Sequence, residues 1–384
     1  YLLLLTPYFI ATPHSTSTTA ERMQGYHIIP KVSSFFCIPL KYKDWTLVRG
    51  DKGEFPGSHG IVKKFDSPDG KSSIAIKKFA GVFQSRGRAK LVLRQLNLLR
   101  TVHHENVVRL IGSYSIVDGR NSVSIYHITE YCGEPLSARI RRGDYSMEDV
   151  KKWTREMLKA IQHLHSNGVI HRNLHLGNIC IDSNSKLTLI GYGHARVIDR
   201  NQNMTAERGT QPYSAIELIV DWVGPYDEKV DIWSVAVLLC DLLSGQNLFG
   251  GNDAKNSLRE QMKLLGRIDD NILNNQIPSH TRPHLASYNT ERKDIIQVLR
   301  DKMLPERGVR VEDIAEHEVH LRHFLDNILQ FDPDRRMSAE RALSHPLLLT
   351  PAPWERQLPI DEQQAMAALR IHIEQEISLA PVPN

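Results

Sequence analysis

Residues 169–194 read "VIHRNLHLGNICIDSNSKLTLIGYGH". His171, Arg172, Asn173, His175 and Asn178 crowd together between apolar runs, and Gly191-Tyr192-Gly193 follows the second of them. Polar residues packed this tightly between segments destined for burial are how a chain builds a functional loop on a rigid scaffold. Which chemistry such a loop performs depends on its acids and bases. Asn173 and Gly191 contribute neither.

Working outward, the segment before this stretch, "SMEDVKKWTREMLKAIQHLHSNG", has helical periodicity, with Ser146 as its N-cap and Gly168 as its stop. Further upstream, from Trp45, "WTLVRG", "HGIVKKFD", "SSIAIKKFA" and "VSIYHITEY" alternate and are rich in β-branched residues, which predicts antiparallel strands. Between the third and fourth, "RGRAKLVLRQLNLLRTV" is apolar at helical spacing through Leu91, Leu96, Leu98 and Leu99. Downstream, "DIWSVAVLLCDLLSG" and "VHLRHFLDNILQF" read as helices. The pattern predicts an α+β fold, a small β-rich lobe followed by a larger helical one, with a ligand cleft between them.

The chain has 384 residues, 41% hydrophobic and 24% charged, and a net charge of +4 with both signs dispersed. This is ordinary globular composition, and nothing in it argues for nucleic acid or a membrane as partner. Cys37, Cys132, Cys180 and Cys240 form no C-x-x-C pair and fit reduced thiols, hence a cytoplasmic or nuclear location. The opening "YLLLLTPYFIA" is broken by Pro7 and too short to span a bilayer, and "HSTSTTAE" reads as a linker. Residues 1–44 are therefore expected to be a disordered leader. "EHEVHLRH" offers His317, His320 and His323, but position 321 is Leu, so H-E-x-x-H fails, and these histidines are expected on a solvated helix face.

The order of short motifs is the most specific signal. "AIK" at 75–77, "HRNLHLGN" at 171–178, "GYG" at 191–193, "AIE" at 215–217, "DIWS" at 231–234 and "DPDRRMSAERAL" at 332–343 together resemble a protein kinase across about residues 46–348. "VFQSRGRAK", "MTAERGTQPYSAIE", the segment following "GGNDAKNSLREQMKLLGRI" and the tail "IEQEISLAPVPN" are similar to mitogen-activated protein kinases of the stress-activated branch. The resemblance implies a bilobal kinase fold, with N-lobe 45–131, C-lobe 132–348 and an insertion at about 250–315. It also implies an extension, 349–384, packing on the N-lobe, and protein partners within a kinase cascade. The oligomeric state stays open.

The same resemblance assigns nucleotide binding to Gly57, Gly60, Val62, Ala75, Lys77, Thr129 and Cys180. It places Lys77 and Asn173 at catalytic positions, Asn173 at that of the base, Asn178 at one metal-ligand position, and Thr205, Glu207 and Arg172 in regulation by loop phosphorylation. The departures concentrate on one reaction. Gly191 stands where the family's metal-binding Asp belongs and cannot bind an ion. Asn178 alone, a neutral amide, is a poor ligand for a hard, carboxylate-seeking cation. Asn173 lacks a basic carboxylate, a loss typically worth about 10²–10⁴ in rate. Gln95 replaces the Glu that pairs with Lys77, His175 replaces a phosphate-binding Lys, and Phe55 replaces the first lid glycine.

By contrast, Glu217, Arg336, Asp231, His171, Arg172 and Tyr192 match positions that hold the fold together. The expectation is therefore a pseudokinase that acts as scaffold or regulator, with ATP a ligand its pocket could still hold and Mg²⁺ one it is poorly equipped to hold. The alternative is a weak or atypical ATP-dependent serine/threonine kinase.

Overall fold

The computed structural model describes residues 26–29, 36–48, 54–57, 60–117, 122–198, 210–220, 222–251, 253–288, 290–304 and 308–349. It divides into two units, the first comprising residues 1–103 and 107–132, the second residues 104–106 and 133–384.

The first unit is built on one antiparallel sheet. Its strands β3 (Thr46–Leu47), β5 (Gly60–Asp66), β6 (Ser73–Phe79), β8 (Val123–Glu130) and β7 (Leu110–Val117) lie in that spatial order, and β4 (Glu54–Gly57) pairs with β5. Alternation along β5, β6 and β8 divides the residues between two faces, as a period of two requires. One face carries Phe65, Ile74, Ile76, Tyr126 and Ile128, all buried. It is covered by a hairpin of β1 (Tyr26–Ile28) and β2 (Cys37–Pro39), which contributes Ile29, Phe36, Cys37 and Ile38 to the same core. Tyr26, Tyr114 and Tyr126 stack in series beneath it, with ring centres 5.3 and 4.7 Å apart. The other face meets α1 (Arg86–Thr101), where Val92 packs with Phe79 and Val82.

This hairpin corrects the expectation of a structureless leader to residue 44. Residues 26–29 and 36–44 are ordered because Phe36, Cys37 and Ile38 fill the apolar surface that a one-sided sheet would otherwise leave to water. The proposed extension from residue 350 onward lies outside the described residues.

The second unit is helical and surrounds α5 (Lys229–Ser244), which is buried from Val230 to Ser244. A helix buried on all sides can only be central. Before it, α2 (Leu136–Arg142) and α3 (Met147–Ser166) lead into a pair of short antiparallel sheets. In one, β11 (Ile179–Ile181) lies between β9 (Glu134–Pro135) and β12 (Leu187–Leu189), and in the other β10 (Val169–Ile170) pairs with β13 (Arg196–Val197). The start of α3 forms as its sequence predicts. Ser146 accepts from the Asp149 amide, and Asp149 reaches back to the Ser146 amide in a capping box. Around α5 follow α4 (Ile216–Ile219), α6 (Ala254–Leu265), α7 (Asp270–Asn275), α8 (Arg282–Ala286), α9 (Ile295–Lys302), α10 (Val311–Glu316), α11 (Glu318–Ile328) and α12 (Ala339–Leu343).

The histidines of α11 do not lie on a solvated face. His320 and His323 are half-buried against His345, which is 1% exposed. They neighbour Leu321, Phe324 and Leu325 on the helix, so the helix turn that buries those residues carries the imidazoles inward. The hydrogen bonds fix the tautomers. His345 Nδ1 accepts from the Leu347 amide at 3.1 Å, so its proton is on Nε2 and donates to His323 Nδ1 at 2.8 Å. Burial, followed by the charges of His323 and His320, pushes the His345 pKa down from 6.5 to about 3.

The folded pKa is the lower one, so between these values the unfolded chain binds more protons. The stability contribution is complete above pH 6.5 and is lost as pH falls toward 3. Lowering the pH from 7.5 to 5 should remove about 2 kcal/mol through this residue. Urea midpoints compared at the two pH values should show that loss, and the pH slope should shrink in His345→Gln. An unchanged slope would show that His345 is already protonated or solvated in the fold.

Candidate functional site

In the first unit the predicted nucleotide-binding residues share one sheet face. Val62, Lys77 and His127 form a row across β5, β6 and β8, because Val62 is register partner to Lys77 and Lys77 to His127. Ala75 and Thr129 are partners in the neighbouring row, with the Thr129 hydroxyl 3.5 Å from the Ala75 carbonyl oxygen. Gly57 and Gly60 pair where β4 meets β5. A Cβ on Gly60 would overlap the Lys78 carbonyl, so this position requires glycine for close backbone approach.

Lys77 is half-buried, and its ammonium lies 4.9 Å from the centre of the Phe79 ring. Burial pushes its pKa down to about 8, with no carboxylate among the described residues opposing the shift. Gln95, buried on α1, stands where the family has the acid that would restore it.

In the second unit the loop that follows β10 is fixed by Asp231, which is fully buried on α5. One carboxylate oxygen accepts from the His171 amide and the other from the Arg172 amide, both at 2.8 Å, and His165 Nε2 lies 3.0 Å away. Burial acts to raise the Asp231 pKa, but the His165 contact and these amides outweigh it and hold the carboxyl below its ordinary range. The anchoring supports Arg172 at φ 63°, a left-handed conformation that few non-glycine residues adopt. The Arg172 guanidinium donates to the His194 carbonyl and the Tyr226 hydroxyl, each at 2.8 Å. His171 donates from Nε2 to the Ile190 carbonyl at 3.1 Å, and its ring meets Tyr192 edge-on at 4.8 Å. Tyr192 is fully buried.

At the positions matched to the family's reactive residues, the side chains bond within the fold. Asn173 is 7% exposed, and its side-chain oxygen accepts from both the amide and the hydroxyl of Thr210 at 3.0 Å. His175 Nδ1 accepts from the Gly177 amide at 3.2 Å. Burial first, then the charges of His171 and His194, push the His175 pKa down to about 4, so it carries no charge at neutral pH. Asn178 Nδ2 donates to the Asn173 carbonyl at 2.9 Å.

Gly191, at φ 86°, lies directly against that Asn178 amide, and a Cβ added at 191 would overlap it. The metal position therefore offers one amide, already engaged, and no carboxylate at 173 or 191. This donor set does not fit Mg²⁺, which is held through carboxylates in near-octahedral geometry. Among the described residues, no group of three or more His, Cys, Asp or Glu side chains could hold a metal ion.

Cys180 is buried on β11, opposite Thr188 and Pro135. Glu217 and Arg336, 119 positions apart in sequence, form a buried two-bond ion pair at 2.7 and 2.8 Å. Thr205 and Glu207 lie outside the described residues. Two residues beside these positions are marked by no motif. Thr210 meets Asn173 only through tertiary folding. His127 was legible, because it stands two residues before Thr129 on a strand and so shares its face.

A protein kinase domain family profile matches residues 56–348. The chain is similar to mitogen-activated protein kinase p38b of Drosophila melanogaster, 29% identical over 87% of this chain and 88% of that protein. It is likewise similar to mitogen-activated protein kinase 13 of Homo sapiens, 30% identical over 76% of this chain and 75% of that one. Mitogen-activated protein kinase mpkC of Emericella nidulans is 32% identical over 80% of this chain and 68% of its own length. No helix among the described residues is long and apolar enough to cross a membrane.

Proposed function

The chain belongs to the mitogen-activated protein kinase family, and from that premise we propose that it has kept the fold and lost phosphotransfer, serving as a scaffold or regulator for protein partners in a stress-type kinase cascade. The observation that carries this reading is the seating of the Asn178 amide against Gly191, in the space a metal-binding side chain at 191 would need. Phosphoryl transfer depends almost wholly on positioning and on neutralising charge. Without carboxylates at 173 and 191 to hold a cation, and with His175 neutral, that neutralisation is left largely to the Lys77 ammonium. Val62, Ala75, Lys77 and Thr129 on one half-buried sheet face remain compatible with a nucleotide bound without metal.

Melting of the purified protein tests this. ATP, if bound, should raise the melting temperature equally with and without Mg²⁺. A labelled-phosphate assay should find no transfer to protein substrates. Mg²⁺-dependent transfer that disappears in Lys77→Ala would overturn the proposal. The second reading, a slow serine/threonine kinase, draws support from the intact anchoring of His171 and Arg172 by Asp231.

A further inference from the structure

His127 is 1% exposed, yet neither ring nitrogen has a hydrogen-bond partner among the described residues. A buried polar group left unpaired destabilises a fold, and native proteins carry few of them. This one is at a telling place. It is the register partner of Lys77, on the face shared by Val62, Ala75 and Thr129. The Phe79 ring centre is 4.9 Å from the His127 ring centre and 4.9 Å from Lys77 Nζ. An ammonium with no carboxylate beside it among the described residues and an imidazole with an uncommitted N–H are what an oxyanion needs, one supplying charge and the other a directed donor.

We propose that His127 is a ligand-binding residue of this chain, holding the phosphate group of a bound ligand together with Lys77. The inference rests on the reading of this sheet face as the ligand face, and adds to it a residue that sets which ligands are preferred. Burial, then the charges of Lys77 and Arg100, keeps the free imidazole neutral, with its pKa near 3. A neutral imidazole still has one N–H to donate. Phe79, which lies against both side chains, packs with Val82 and Val92, and apolar surroundings of this kind strengthen such contacts.

The test is metal-free melting of wild type and His127→Leu with inorganic phosphate, AMP or adenosine. Without any probe, His127→Leu should melt higher than wild type, because it replaces an unpaired buried polar group with an apolar one. AMP should stabilise wild type more than adenosine does. The variant should lose about tenfold or more in AMP affinity while keeping its affinity for adenosine. Phosphate acting as well as AMP would identify free phosphate as a ligand, and AMP acting alone would identify a nucleotide; either supports the proposal.

A variant that melts lower than wild type would show that the imidazole is satisfied within the fold, and overturns it. So would equal AMP affinity in the two proteins, or a parallel loss for adenosine. Wild type responding to adenosine but to neither phosphate-bearing probe would overturn the role of His127 and leave the ligand face standing. No response to any probe would overturn both.

Discussion

Arg336→Ala should lower the stability of the second unit by about 3–5 kcal/mol, because it leaves the Glu217 carboxylate buried without its counter-charge. Both side chains are fully buried. The guanidinium also donates to the carbonyls of Gln330, Lys229 and Phe331, and lies 5.2 Å from the centre of the Trp233 ring. One side chain therefore ties α4 and α5 to the segment before α12. Arg336→Lys should recover only part of the loss, since an ammonium cannot reproduce the planar fork that meets both carboxylate oxygens. Urea unfolding followed by fluorescence of the buried Trp153 and Trp233 would report the change. A loss below about 1 kcal/mol would place the pair in the range of solvated surface ion pairs and contradict the burial found here.

The second large effect concerns activity. Asn173→Asp together with Gly191→Asp should create Mg²⁺-dependent phosphate transfer at least about 10²-fold above the wild-type background, the lower end of what general-base help provides. The first substitution fits without rearrangement. The Asn173 side-chain oxygen already accepts two hydrogen bonds from Thr210, and a carboxylate oxygen can accept the same pair.

The second substitution is harder. Residue 191 has left-handed backbone, which Asp tolerates better than most residues, and its Cβ would displace the Asn178 amide from its bond to the Asn173 carbonyl. Each single variant should therefore stay near background, and only the pair should respond to Mg²⁺. Transfer by wild type at the rate of the double variant would refute the proposed loss of catalysis. A silent double variant would locate the remaining defect in Gln95, where Lys77 still lacks its acid, or in the lid at Phe55.

Much of the framework could be read directly. The strands β5, β6 and β8 fall within the alternating runs, and α1 and α3 match their periodic segments to within a few residues. Ser146 caps α3 through a contact three residues away, the range over which local sequence acts. By contrast, β7 lies within "VVRLIGSYSIV", whose alternation is broken by the irregular pairing between Leu110 and Gly112. The strands β1 and β2 are three residues each, too short to show a period, and exist because a sheet face offers them a core.

The sequence by itself determined which acids are missing, because the absence of a carboxylate at 173 and 191 is a matter of residue identity and motif order. Only the tertiary structure decided what takes their place: an Asn178 amide folded onto Gly191, and Thr210 holding Asn173. It also decided that His323 meets His345 and that His127 is buried beside Lys77 with its nitrogens unpaired among the described residues. These facts depend on burial and on contacts between residues distant in sequence. Composition, period and spacing encode the local preferences of a chain, whereas the loss of solvent at a given side chain is set by everything that packs around it.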